Sequence, residues 1–104
     1  MPEAEYPEYR LTTAAEQDLL QISLYGLQQF GPQQARVYYT RLVNRFEELA
    51  KTPELYQPVE HIRKGYRRSV CGAHSIYYRV HQDSVEIVRI LGTQELGRSL
   101  GPAP

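Results

Sequence analysis

The sequence predicts an α+β domain in which an N-terminal short strand and a helical hairpin pack on one face of a small antiparallel β-sheet, in the order β-α-α-β-β-β. Three observations lead there. Apolar residues recur at helical spacing over 13–51, with a Phe30-Gly31-Pro32 break in the middle. Three short runs rich in β-branched and aromatic residues follow between residues 66 and 91. Helices grouped before strands pack as two layers around one core. At 104 residues the chain is read as a single domain over 1–104, with residues 1–8 and 97–104 expected to be flexible.

Tyr9 to Thr12 reads as the opening strand. Thr13-Ala14-Ala15-Glu16 has the spacing of a capping box, hydroxyl and carboxylate satisfying orphan amides reciprocally, so a helix starts at Thr13. Ala15, Leu19, Ile22 and Phe30 form one apolar stripe, and Leu20, Leu24 and Leu27 a second. The helix therefore has more apolar surface than one sheet face covers. The second stripe either packs on the next helix or is left over for a partner. Gly26 lies where the stripes meet, and a helix-interior glycine there predicts close approach of another element. At Phe30-Gly31-Pro32 glycine suits the left-handed position after one helix and proline the first turn of the next. Ala35, Tyr39, Leu42, Phe46 and Leu49 then form a single stripe, which stops before Thr52-Pro53. Arg41, Arg45, Glu48 and Lys51 are expected mostly on the solvated side.

Residues 53–65 hold Pro53, Pro58 and Gly65 without periodicity and read as a connecting loop. Strands are predicted at Tyr66 to Cys71, His74 to His81 and Val85 to Leu91, joined by short turns at Gly72-Ala73 and Gln82-Asp83-Ser84. The last is apolar on both faces apart from Glu86 and Arg89, which suggests a central position. In the middle strand Ile76, Tyr78 and Val80 should face the helices, and Tyr77, Arg79 and His81 the other side.

Composition excludes several classes. No apolar run approaches the ~18 residues of a transmembrane helix, so no membrane partner is expected. Twelve basic and 12 acidic side chains cancel, so no global field draws the protein to nucleic acid. The balance is uneven along the chain: residues 1–60 carry five basic against nine acidic side chains, and residues 61–104 seven against three. Met1 to Arg10 has Glu3, Glu5 and Glu8 but no basic or apolar stretch, which reads as cytoplasmic rather than secretory. Cys71 is the only cysteine, so no internal disulfide or thiol pair forms, and it lacks an assigned base and orienter for nucleophilic work. His61, His74 and His81 share no face, which argues against a metal, and no cofactor is expected.

The strongest local feature is Arg63-Lys64-Gly65-Tyr66-Arg67-Arg68. In a strand Arg67 and Arg68 point to opposite faces, so one of them shares a face with Arg79 and Arg89. The group is either a contact surface for anionic groups or a solvated strand edge whose charge blocks aggregation. In Tyr38-Tyr39 and Tyr77-Tyr78 one ring of each pair should be inward. Tyr77 beside Arg79 is a candidate contact, or a ring packed on the sheet with its hydroxyl wet.

The order of elements and the residues in it resemble the ParE branch of the RelE/ParE toxins of bacterial type II toxin–antitoxin systems, from about Tyr9 to Leu91. The matching stretches are Tyr9-Arg10-Leu11-Thr12 with Ala14-Ala15 and Asp18-Leu19, the Phe30-Gly31 corner with Ala35, Pro53-Glu54-Leu55, Ile62-Arg63-Lys64-Gly65-Tyr66-Arg67-Arg68, Gly72 with His74, Tyr77-Tyr78-Arg79-Val80 and Val85-Glu86-Ile87-Val88-Arg89-Ile90-Leu91. The superfamily holds ribosome-dependent ribonucleases of the RelE type and DNA gyrase inhibitors of the ParE type, so fold alone does not choose between them. Cleavage through a 2′-hydroxyl needs a base, a cation at the phosphate and an acid. The places that carry two arginines and a tyrosine in RelE-like members correspond here to Ser75, Gln94 and Leu100, which implies a non-enzymatic gyrase poison. The alternatives are a ribosome-dependent mRNA endonuclease and a degenerate, non-toxic member that keeps antitoxin binding. ParE relatives commonly continue with a His and an Arg-Met pair where this chain has Gly92-Thr93-Gln94-Glu95-Leu96. The resemblance also implies a ParD-like antitoxin wrapping the hairpin and the sheet, with no sequence-specific nucleic-acid binding by the toxin alone. The partner-binding candidates are Arg63, Lys64, Arg67, Arg68, Tyr77, Arg79 and Arg89, with Leu20, Leu24 and Leu27.

Overall fold

The computed structural model describes residues 8–92. Gln94, Leu100 and the ends expected to be flexible lie outside the described residues, except Glu8, which opens the first strand. Five strands form one sheet: β1 (Glu8–Leu11), β2 (Gln57–Pro58), β3 (Tyr66–Cys71), β4 (His74–Val80) and β5 (Ser84–Gly92), in spatial order β1-β5-β4-β3-β2. The β2-β3, β3-β4 and β4-β5 pairs are antiparallel, and β1 lies parallel to β5. A helix, α1 (Thr13–Lys51), separates β1 from the rest. Among the described residues no helix is long and apolar enough to cross a membrane.

Gly31 breaks α1 with φ 88° and ψ 168°, a backbone open to glycine and strained for other residues. The helix is thus a hairpin of two arms, 13–30 and 32–51, as the Gly-Pro corner predicts. Its first turn is capped one residue earlier than the box implied. The Thr12 hydroxyl accepts from the Ala15 amide at 3.0 Å and donates to the Val88 carbonyl at 2.8 Å, so one group both caps the helix and ties it to β5.

The core lies between the hairpin and one sheet face. Ala15, Leu42, Phe46 and Leu49 pack with Cys71, Ile76, Tyr78, Val85, Ile87 and Ile90, flanked by Tyr9, Leu11, Leu19, Ile22 and Tyr38. In the second arm Tyr38, rather than Tyr39, faces inward. Its hydroxyl accepts from the Ala73 amide and lies 2.7 Å from His74 Nδ1, plugging the β3-β4 turn. Gly72 in that turn has φ 62°, and a Cβ there would come within 2.6 Å of the Tyr38 ring, so backbone and packing both require glycine.

The segment read as a loop does more than connect. Pro53–Leu55 forms a 3-10 turn and β2 adds a fifth strand. Val59, with Ile62 and Tyr66, then covers Tyr77 and Leu91 on the sheet face away from the helices. Both tyrosines of the β4 pair are buried because both faces of the strand are covered, Tyr78 by the helical core and Tyr77 by the Val59 segment, while a bulge interrupts the pairing of β4 with β5. Tyr77 pairs with Arg89 and Tyr78 with Ile87, leaving Val88 as the extra residue of β5. Tyr78 faces the helical core, where its hydroxyl donates to the Pro53 carbonyl at 2.7 Å and burial pushes its pKa up to about 12. Val80, expected inward, is exposed: the register of β3 on β4 ends at Arg79, so Val80 has a paired neighbour only on the β5 side.

Candidate partner-binding surface

The hairpin leaves one apolar stripe outside the core. Leu20, Leu24 and Leu27 are 55%, 47% and 47% exposed, and Tyr25 and Phe30 beside them more so. The stripe is therefore not packed away against the second arm. Small residues hold the arms together instead, with the position of a Cβ on Gly26 lying 3.6 Å from Ala35 Cβ. That is ordinary van der Waals contact, so the approach is close but would admit alanine. Phe30 is also exposed rather than part of the inner stripe, because the chain turns away at Gly31. An exposed leucine row at i, i+4 and i+7 is the pattern to which an apolar helix or extended segment docks.

The basic residues are not gathered into one surface. Arg67 and Arg68 do fall on opposite faces. Arg67 donates to the Tyr56 carbonyl at 2.6 Å and fastens the crossing segment, while Arg68 pairs in register with Tyr77. Both are half-buried rather than substantially exposed. Arg79 donates to Glu86 at 2.9 Å and lies over the Tyr66 ring. Glu86 also lies 2.9 Å from His81 Nε2. Those bonds, first from His81 and then from Arg79, hold its carboxyl below the ordinary glutamate value. Arg63 is half-buried and Lys64 exposed. Tyr77 is 1% exposed and offers no surface as the chain stands, because the Val59 segment covers it.

Arg89 is held as well, by a residue that periodicity did not single out. Asp18 accepts from Arg89 Nε at 2.7 Å and from its terminal nitrogen at 2.9 Å, and also from the Ile90 amide at 3.0 Å. The register of β1 on β5 ends at Ile87, so Asp18 occupies the sheet edge that β1 leaves open. Arg45 does the same on the other edge, where the register of β2 on β3 ends at Arg68. It donates to Ser69 Oγ at 2.7 Å and to the Val70 carbonyl at 2.8 Å, instead of lying on the solvated side. Each edge is thus half-covered by a short strand and half by a charged side chain, which blunts pairing with another sheet.

Ser75, which the resemblance sets at the place of a RelE-type arginine, is 1% exposed, and its Oγ has no hydrogen-bond partner among the described residues. Among the described residues no group of three His, Cys, Asp or Glu side chains could hold a metal ion.

Known proteins are similar to this chain in sequence and in fold. A family model described as the ParE toxin of the type II toxin–antitoxin system parDE matches residues 9–97. Toxin ParE1 of Caulobacter vibrioides is 42% identical over 83 residues, 80% of this chain and 85% of the relative. Toxin ParE1 of Mycobacterium tuberculosis is 31% identical over 84 residues, 80% of this chain and 86% of the relative. Among solved structures, the chromosomal ParDE toxin–antitoxin system of P. aeruginosa superposes with a TM-score of 0.73 at 20% identity, covering 84% of this chain and 96% of that one. The RelBE2 toxin–antitoxin complex of M. tuberculosis gives 0.63 at 21% identity, covering 83% and 96%. These structures carry the fold, and the sequence relatives carry the family: the chain belongs to the ParE toxins, within the RelE/ParE superfamily of type II toxin–antitoxin systems.

Proposed function

We propose that this protein is a toxin that acts by binding, holding DNA gyrase in a damaging DNA-cleaved state, and that a ParD-like antitoxin neutralises it by covering the hairpin. Membership of the ParE family supports the target. The exposed Leu20, Leu24 and Leu27 row carries the antitoxin part, since an apolar row on an otherwise packed hairpin loses free energy until something covers it. The non-catalytic reading is supported by Ser75, buried and uncharged where a ribonuclease of this fold would place an arginine.

A disordered acidic segment reaching the sheet would meet the net positive C-terminal part of the chain, residues 61–104, which speeds association more than it strengthens binding. Production of the chain in a bacterium without antitoxin tests the whole reading. Growth arrest with DNA damage and intact mRNA is expected. Rapid mRNA loss would make the protein an endonuclease, and unimpeded growth would make it a non-toxic member that retains antitoxin binding.

A further inference from the structure

The two ends of the leucine row carry opposite charge. Residues 19–35 contain no Asp, Glu, Lys, Arg or His, so the nearest charges belong to the start of the first arm and to the second arm. The arms run antiparallel, with Gly26 against Ala35 near the corner and Ala15 in one core cluster with Phe46 near the open end. Arg36 is exposed and directly follows Ala35, so it flanks the corner end of the row. Glu16, exposed in the first helical turn, flanks the open end. Glu47 joins it there. The Tyr9 pKa is raised by burial and then by Glu47 and Tyr39, so this carboxylate lies near β1, which leads into the first arm.

The other charges of the second arm turn elsewhere. Arg45 is fixed to the β3 edge, and Arg41 and Glu48, four residues before and three after it, share its side of the helix. Lys51 lies a full turn past Glu47, away from the row. Antiparallel arms oppose their dipoles, so side chains set the polarity: negative at Glu16 and Glu47, positive at Arg36. A helix of ~15 residues, about 22 Å long, covers the row from Glu16 to the corner. An acidic end over Glu16 and Glu47, or a basic end over Arg36, would press like charges together and lose affinity. The corner is also close to the sheet, since Tyr38, two residues after Arg36, accepts from Ala73 in the β3-β4 turn. An acidic end placed there continues onto the net positive part of the chain, residues 61–104, without reversing.

We infer that the partner of the leucine row is an amphipathic segment of one polarity, basic over Glu16 and Glu47 and acidic over Arg36. Charge at the two ends then fixes its direction and selects it among segments with the same apolar face. This rests on the antitoxin reading of the row and adds the charge order that the reading leaves open.

Fluorescence anisotropy of synthetic helical peptides of ~15 residues, titrated with the full chain, provides the test. Three peptides share one leucine face and differ only at their ends: Lys at one and Glu at the other, Lys at both, or Glu at both. The mixed peptide is expected to bind at least about tenfold tighter than either of the others at low salt, an advantage that shrinks as salt is added. Arg36→Glu should pass the advantage to the peptide with Lys at both ends, and Leu24→Asp should weaken all three. Arg36 is exposed and outside the core, so its variant carries the comparison even where Leu24→Asp fails to fold. Equal binding of the three peptides, or an order that Arg36→Glu leaves unchanged, overturns the polarity while the row remains a docking face. Absence of binding by all three, or binding that Leu24→Asp leaves intact, overturns the inference together with the antitoxin part of the proposed function.

Discussion

Replacing Asp18 by alanine should be among the most damaging single changes on the helical hairpin outside its apolar core. Its carboxylate makes two bonds to Arg89, at 2.7 and 2.9 Å, and one to the Ile90 amide at 3.0 Å, joining residues more than seventy positions apart. The pair is 26% exposed at Arg89 and 14% at Asp18. Breaking a fully buried pair costs about 3–5 kcal/mol, and an exposed one is worth ~1 kcal/mol or less. A quarter-exposed fork falls between, at about 2 kcal/mol, and the stranded Ile90 amide adds ~0.5–1 kcal/mol after partial rehydration. Asp18→Ala is therefore expected to lose about 2–3 kcal/mol, which for a domain of this size lowers Tm by roughly 10–20 °C. Asp18→Asn keeps an acceptor for the amide and should lose about half as much. Urea unfolding of the three proteins, read by far-ultraviolet circular dichroism, gives the values. Loss of less than ~0.5 kcal/mol in Asp18→Ala would show that the fork is a surface pair and that the β5 edge is held by something else.

Three further outcomes are expected. Gly26→Ala should stabilise the chain by ~0.5–1 kcal/mol in the same urea assay, because glycine is costly inside a helix and its new Cβ would sit at ordinary contact distance from Ala35. Gly72→Ala should destabilise it by about 1–3 kcal/mol and lower Tm, since φ is 62° and the added carbon would meet the Tyr38 ring. Acid should remove stability through Glu86, whose carboxyl is held below its ordinary value by His81 and Arg79. A depressed pKa means the contribution is fully present above the unfolded value of about 4.3 and is lost as pH falls through the folded one. Urea midpoints of the parent and Glu86→Gln should therefore converge in acid and separate towards neutral pH.

Features written in local chemistry were legible in the sequence. The helix start, the Gly31 corner, the end before Thr52-Pro53 and both hairpin turns follow from caps, glycine and proline, which act over a few residues. What depended on distant partners was not. Residues 53–65 have no period because their apolar members, Val59 and Ile62, are spaced to meet Tyr77 and Leu91 rather than to form an element of their own. Tyr77 lies on the face away from the helices, as alternation predicts, but the Val59 segment that buries it comes from a distant part of the chain. Tyr38 displaced Tyr39 from the inner stripe because its hydroxyl finds partners in the β3-β4 turn. In the candidate surface, the leucine row was visible as surplus, but its fate depended on how closely Gly26 and Ala35 bring the arms together. The arginines could be counted but not assigned. Asp18, Glu86 and the Tyr56 carbonyl, which bind Arg89, Arg79 and Arg67, come from elsewhere in the chain.

The most direct test of the proposed activity is a cleavage assay with purified gyrase, supercoiled DNA and the full chain purified away from antitoxin. Accumulation of cleaved DNA in proportion to added protein is the predicted result. Unchanged supercoiling activity with no cleaved DNA, at protein in large excess over gyrase, would contradict it.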